Sequence, residues 1–140
     1  MNEKCTWKLE LEFPSDSTTG GDIIRQVLEK LKSDNWSDVD QFAVHMALEE
    51  GIMNAIKHGN KHDKNKKVHI EFCLKPTSCS LKVRDEGAGF DLAAVPDPTL
   101  EENLEKSSGR GIMLIKEFMD SVEYIGSGNQ VEMTKLRTAE

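Results

Sequence analysis

The chain has 140 residues, of which 37% are hydrophobic and 31% are charged, and these proportions predict one soluble globular domain covering residues 1–140. The formal net charge of −7 argues against binding to nucleic acid or to an anionic membrane surface. The sequence lacks the run of about 18 apolar residues that a membrane span requires. Its charged N-terminus is unlike a signal peptide, so we expect a cytoplasmic protein.

The chain opens with a strand pattern followed by a helix pattern. Residues 5–13 carry apolar side chains at alternate positions, which predicts a half-buried strand. The turn after it offers several N-cap residues. Apolar residues then recur at helical spacing from Ile23 to Leu31, which predicts an amphipathic helix.

A second helix is expected to begin after Ser37, with Asp40 as the short second arm of a capping box. We expect its core stripe to include the apolar residues Phe42, Met46 and Ile56. The helix is predicted to run to about residue 58, where Gly59 is suited to the C′ position that ends a helix.

The second half of the chain is richer in strands. Residues 68–74 and 79–83 alternate around a short turn and predict an antiparallel hairpin. Residues 92–108 contain two prolines and an acidic run, which is typical of a functional loop or a lid. A third helix is predicted from residue 109, and residues 121–136 are expected to form a closing hairpin.

This order of elements predicts an α+β fold, a two-layer α/β sandwich with helices on one face of a mixed, mostly antiparallel sheet. The other face should be largely polar, because charged residues fill the alternate positions of the strands.

The three cysteines, an odd number, do not indicate a disulfide framework. Cys73 and Cys79 flank a turn, but Cys79 is in phase with the apolar residues of its strand and Cys73 is not. The two side chains should therefore point to opposite faces of the sheet. We expect reduced thiols with no shared metal.

Polar residues interrupt the second helix at regular spacing. Glu50, Asn54 and His58 recur every four residues, so they lie on nearly one line along one side of an α-helix. The carboxylate and the amide supply oxygen ligands suited to water and Mg²⁺.

Two glycine-containing segments complete the pattern. Asp85 ends a predicted strand with its carboxylate toward the helices, where it needs a partner, and Gly87 and Gly89 leave room for a flat ligand. Gly109 and Gly111 lie at a predicted helix start, where free N–H groups favour phosphate. Together these features indicate a nucleotide site.

The segments ALEEGIMNAIKHGN, VRDEGAGFD and SSGRGIMLIKEFMDSVEY resemble the N, G1 and G2 boxes of the Bergerat-fold ATPases, the superfamily of gyrase and the histidine kinases. The closest resemblance is to the stand-alone bacterial anti-sigma factor serine/threonine kinases, over nearly the whole chain. It implies ATP and Mg²⁺ as cofactors, with residues 92–108 as the ATP lid.

The resemblance also implies residue roles. Asn54 would hold Mg²⁺ at the phosphates, Glu50 would be the general base, and Asp85 would accept a hydrogen bond from the adenine amino group. Arg110 would add positive charge at the phosphates. The ATP-binding residues implied are Asn54, His58, Asp85, Gly87, Gly89, Phe90, Gly109, Arg110, Gly111 and Ile112. Asn129 departs from the pattern, because the superfamily often has threonine there.

The implied partners are an anti-anti-sigma protein of the STAS fold, phosphorylated on serine or threonine, and a sigma factor or similar regulator that is sequestered by partner switching. Such kinases are typically homodimers. The alternative function is a nucleotide-dependent switch that sequesters a regulator without phosphorylating a protein.

Overall fold

The computed structural model describes residues 4–87, 116–125 and 129–138. The elements are β1 (Trp7–Pro14), α1 (Ser17–Ser33), α2 (Asp38–Asn54), a π-helical turn (Ala55–Gly59), β2 (Lys67–Leu74), β3 (Ser78–Arg84), β4 (Ser121–Ile125) and β5 (Gln130–Leu136). Residues 116–118 are helical and match the end of the predicted third helix. The beginning of that helix and the predicted lid lie outside the described residues.

The five strands form one sheet in the order β1-β2-β3-β5-β4. All four pairings are antiparallel, so the α+β class is confirmed, whereas the expected mixture of parallel and antiparallel strands is not found among the described strands. β1 lies at an edge of the sheet and ends at Pro14. Proline has no backbone N–H to donate, which is tolerated in an edge strand because one of its sides has no neighbouring strand to bond.

The core lies between one face of the sheet and the two helices. Gly51 of α2 packs against Val83, Val131 and Met133, which brings the helix close to the middle of the sheet. The largest fully buried side chains, from both layers, are Phe72, Leu31, Leu48, Ile52, Ile56, Ile70, Leu74, Leu81, Met133, Val27, Val44 and Val68. At about 1.5–3 kcal/mol for each buried large apolar side chain, this layer supplies most of the driving force for folding.

The opposite face of the sheet carries paired charges, as the alternation predicts. Lys8 contacts Glu71 at 3.2 Å on the neighbouring strand, and Lys82 lies 3.1 Å from Glu132. Lys82 also reaches Glu71 at 4.0 Å. Positive and negative side chains therefore alternate across β1, β2, β3 and β5, which suits a solvated face.

The prediction of three reduced cysteines is wrong for two of them. Cys5 and Cys73 form a disulfide with a Cα–Cα distance of 5.5 Å, while Cys79 is buried and free. In the sequence, only the two cysteines that flank the β2–β3 turn are close enough to suggest a pair. The actual partner comes from the N-terminal side of β1, which the sheet order places beside β2.

The expected core stripe of α2 is only partly correct. Ile56 is buried, Met46 is half-buried and Phe42 is 54% exposed. Phe42 packs edge to face with Phe118, with 5.8 Å between the ring centroids. The buried stripe of α2 is formed instead by other residues of the helix, among them Val44, Leu48 and Ile52.

Side chains cap both long helices. Asp16 caps α1 by accepting the Thr18 N–H, and Ser37 caps α2 by accepting the Asp40 N–H at 3.1 Å. The second arm of the predicted capping box is absent from the described contacts of Asp40. Its buried carboxylate accepts hydrogen bonds from the backbone N–H and the hydroxyl of Thr138 instead. This contact anchors the end of the chain to the start of α2.

The Asp40 anchor gives a stability prediction. Asp40 is fully buried and lies 3.8 Å from the Lys135 ammonium. Asp40→Ala leaves both Thr138 donors without their acceptor and takes away one of the two carboxylates near the Lys135 ammonium, the other being Asp120 at 3.4 Å, so we expect a loss of about 3 kcal/mol in the free energy of unfolding. Urea unfolding measures it. Asp38→Ala, on the same turn but exposed, is the control and should lose under about 1 kcal/mol; equal losses would contradict the assignment.

Candidate functional site

The predicted end of the second helix is reshaped by the π-helical turn. Residues Ala55–Gly59 widen the helix after Asn54, and the N–H of Asn60 donates to the Ala55 carbonyl at 2.8 Å. The chain then reverses at Lys61 and His62, which have φ angles of 52° and 60°. Gly59 therefore lies inside the turn, so its predicted role as C′ residue is wrong.

The wider turn also changes the expected line of polar residues. Glu50 and Asn54 remain one α-helical turn apart, but His58 follows within the π-turn, so an uninterrupted 3.6-residue repeat does not extend to it. The side chain of His58 lies outside the described part of the structure. Its predicted contact with ATP stays a prediction.

The close approach of Asp85, at the end of β3, explains why residue 59 is a glycine. A methyl group in place of its hydrogen would overlap the carboxylate of Asp85, and one on Gly87 would overlap the carbonyl oxygen of Gly59. The π-turn, the end of β3 and the turn after it thus meet in direct contact. As predicted, the Asp85 carboxylate lies on the helix side of the sheet.

Burial sets the electrostatics of Asp85. Desolvation raises the pKa of its carboxyl above the ordinary value of 3.8, because the ionised form loses hydration. The Gly87 N–H, which donates to Asp85 Oδ1 at 2.8 Å, and the charge of Lys66 act in the opposite direction. A buried carboxylate whose ionised form is disfavoured, beside a half-exposed glycine turn, is typical of a binding site.

Asn60 is a positioning residue that the sequence reasoning missed. It is fully buried, and its amide nitrogen donates to Ser15 Oγ and to the Lys67 carbonyl, each at 2.9 Å. Its amide oxygen accepts the Glu86 N–H at 2.8 Å. One side chain therefore fixes the turn that follows Asp85. The available signal was an amide directly after a predicted helix end.

Asn129 also contacts this turn. Its backbone carbonyl accepts the Asp85 N–H at 2.9 Å, and its side-chain amide lies 3.4 Å from the Asp85 carbonyl. The residue that departs from the expected threonine thus holds the backbone of the carboxylate residue.

Glu50 and Asn54 occupy the last two turns of α2 and are both half-buried. Glu50 lies near Tyr124: burial and the charge of Glu50 raise the pKa of Tyr124 to about 12. The register agrees, because Tyr124 pairs with Val131, which packs against Gly51. Tyr124 therefore remains protonated at neutral pH. The Glu50 carboxylate faces the β4–β5 edge of the sheet.

The donor set is compatible with magnesium bound together with a ligand. In the described residues, His, Cys, Asp and Glu do not form any group of three that could hold a metal alone. Mg²⁺ usually takes one or two protein oxygens and completes its shell with phosphates and water. The amide oxygen of Asn54 fits that limited role. Asn54 thus remains a candidate ligand.

The remaining predicted site residues are not described. Gly89, Phe90, Gly109, Arg110, Gly111 and Ile112 lie outside the described residues. The geometry therefore brings together residues 59–60 and 85–87, which belong to two of the three segments that carry the predicted site. In the described part of the chain, no helix is long and apolar enough to cross a membrane.

Comparison with known proteins bears on the family and the fold. Anti-sigma F factor from Oceanobacillus iheyensis is 38% identical to this chain over 98 residues, 66% of each protein. Anti-sigma F factor from Bacillus thuringiensis is 34% identical over the same length and coverage. The matched region is thus just under two thirds of each relative.

A solved structure of the RsbU and RsbW domains of a Mycobacterium tuberculosis protein superposes with a TM-score of 0.63 at 13% identity, covering 94% of this chain and 32% of that one. This similarity shows the fold. The sequence pattern of the histidine kinase-like ATPase domain matches residues 13–135, which include both long helices and nearly all of β2, β3, β4 and β5. The chain therefore belongs to the histidine kinase-like ATPase domain family.

Proposed function

We propose that the protein binds ATP with Mg²⁺ and acts as an anti-sigma factor with protein serine/threonine kinase activity. The observation that carries the proposal is the buried carboxylate of Asp85, packed against Gly59 and followed by the half-exposed Gly87. An amino group of a flat heterocycle can donate to such a carboxylate, and the adjacent glycine lets the ring approach the backbone.

The other described residues take roles that suit phosphoryl transfer. Asn54 supplies the amide oxygen for Mg²⁺, which when bound neutralises phosphate charge. Glu50 accepts the proton of the attacking hydroxyl as general base. His58, Gly89 and Phe90, with Gly109, Arg110, Gly111 and Ile112 of the G2 segment, complete the proposed ATP contacts.

The relatives named anti-sigma F factors support a sigma factor as one partner. We propose that the phosphoryl acceptor is an anti-anti-sigma protein of the STAS fold, and that residues 92–108 form the ATP lid. The proposed state is a cytoplasmic homodimer. The alternative, sequestration without phosphoryl transfer, remains an outcome of the experiment on Glu50 below.

Asp85→Asn tests the nucleotide site. The amide keeps an oxygen for the Gly87 N–H but loses the charge that receives the adenine amino group, so we expect ATP affinity to fall about 100-fold. Titration calorimetry measures it. Glu86→Gln, at the exposed next residue, is the control and should keep the affinity; unchanged binding in Asp85→Asn would remove the adenine assignment.

Asp85 also gives a pH prediction. Because its folded-state pKa is raised above 3.8, the native protein holds this proton more tightly than the unfolded chain. The contribution of Asp85 to stability is therefore full below pH 3.8 and lost as pH rises through the raised pKa. Asp85→Asn lacks this loss, so its stability relative to wild type should increase between acid and neutral pH in urea titrations. A flat difference would contradict the burial argument.

Gly59→Ala tests the contact that places Asp85. The added methyl overlaps the carboxylate, so the π-turn and β3 must separate. We expect a loss of about 1–3 kcal/mol in unfolding free energy and weaker ATP binding. Gly21→Ala is the matched control, because its methyl would meet nothing within 4 Å in α1. That change should stabilise the protein by about 0.5–1 kcal/mol.

Glu50→Gln separates binding from chemistry. Incubation with labelled ATP, Mg²⁺ and STAS-domain proteins of the same genome should give phosphorylated acceptor with wild type. With Glu50→Gln we expect transfer to fall about 100-fold while ATP affinity is retained. Full transfer by the variant would eliminate Glu50 as base. Tight ATP binding with no transfer by wild type would favour the non-kinase switch.

A further inference from the structure

A concentration of positive charge lies next to the candidate nucleotide site. Residues 61–67, KHDKNKK, contain four lysines and one aspartate in a chain of net charge −7; we call this segment the basic loop. Within the described part of the chain, its lysines take part in none of the ion pairs, in contrast to Lys8, Lys82 and Lys135. The charge of Lys66 acts on Asp85, whereas Lys61 and Lys64 are exposed lysines outside the ion pairs of the described residues.

The backbone of the basic loop is held in a defined shape. The Asp63 N–H donates to the Asn60 carbonyl, and the Lys66 N–H donates to the Asp63 carbonyl at 3.0 Å. Ser15 donates to the Lys66 carbonyl through both its N–H and its hydroxyl. These hydrogen bonds hold the backbone of the basic loop in one conformation. The lysine side chains therefore extend from a backbone that is already ordered before a partner binds.

Left-handed backbone at two consecutive non-glycine residues adds to this observation. Lys61 and His62 both have positive φ, a conformation that costs about 1–2 kcal/mol for a residue with a Cβ. Glycine or asparagine would relieve the cost. The segment thus keeps side chains at two positions where backbone conformation favours glycine, which is typical of functional segments.

The basic loop is joined to the candidate site through direct contacts. The Lys67 N–H donates to Glu86 Oε1 at 2.6 Å, one residue after Asp85. Asn60, which directly precedes the basic loop, binds both the Lys67 carbonyl and the Glu86 N–H. A macromolecule that contacts the basic loop would therefore lie at the mouth of the nucleotide site.

We propose that the basic loop is the docking surface for an acidic surface of the protein that accepts the phosphoryl group. The proposal rests on the proposed kinase function and names the recognition chemistry of its substrate. Opposite charges at the edge of an interface accelerate encounter and fix orientation. The net negative charge of the whole chain disfavours nucleic acid as the occupant.

A binding experiment tests the charge chemistry without requiring kinase activity. A fluorescent oligoglutamate peptide is titrated by anisotropy at low ionic strength, about 0.01 M, where charges act over about 30 Å. Lys61→Gln/Lys64→Gln should weaken binding about five- to tenfold. The control Lys32→Gln/Lys75→Gln removes equal charge elsewhere and should change it less than twofold, roughly.

Equal loss in both double variants would overturn the proposal, since binding would then follow net charge alone. Tighter loop-dependent binding of a single-stranded oligonucleotide than of oligoglutamate would overturn it in favour of nucleic acid.

The second measurement uses phosphoryl transfer to the STAS-domain proteins. We expect the loop variant to raise KM for the acceptor about five- to tenfold at low salt, with KM for ATP unchanged. The difference should diminish as salt rises. Unchanged acceptor KM, or a raised KM for ATP instead, would overturn the proposal. Loop-dependent oligoglutamate binding without transfer by wild type would instead count against the kinase function.

Discussion

The contact between Asp85 and Gly59 is the constraint on which the candidate site depends. It requires the end of the helical segment and the end of β3 to meet with no side chain between them. An α-helix that continued unchanged from Asn54 would carry different residues to this point. The π-turn changes the path of the backbone so that Gly59 faces the Asp85 carboxylate. It also places the side chain of Asn60 where it forms hydrogen bonds with Ser15, Lys67 and Glu86.

Burial of the Asp85 carboxylate is unfavourable for its ionised form, and this is consistent with the proposed role of Asp85 in binding a ligand. Folding disfavours the ionised form of Asp85, and the Gly87 N–H opposes that effect only in part. Asp40 is a useful contrast, because its carboxylate is also buried but receives two donors from Thr138 and the charge of Lys135. Among the described residues, the Asp85 carboxylate accepts a hydrogen bond from the Gly87 N–H on Oδ1, which fits a carboxylate that also accepts a hydrogen bond from a ligand.

Sequence patterns predicted the strands, the two long helices and the helix side of Asp85, because alternation and helical spacing depend on local residues. They did not predict the disulfide between Cys5 and Cys73, since that pairing depends on which strands are neighbours. The π-turn and the role of Gly59 were also missed. Both depend on the contact between Gly59 and Asp85, which are 26 positions apart in the sequence. From the sequence alone, a glycine after a helix is equally consistent with a C′ residue and with close packing against another segment.

Lysines occur in two different electrostatic environments, the outer face of the sheet and the basic loop. On the outer face of the sheet, Lys8 and Lys82 have carboxylates within reach, so that face has little field of its own. In the basic loop, Lys61 and Lys64 project from a hydrogen-bonded backbone whose Asn60 also fixes the turn after Asp85. If a partner displaced this loop, the turn would have to move with it, because the same buried amide holds both. Docking and nucleotide recognition would then be coupled through Asn60.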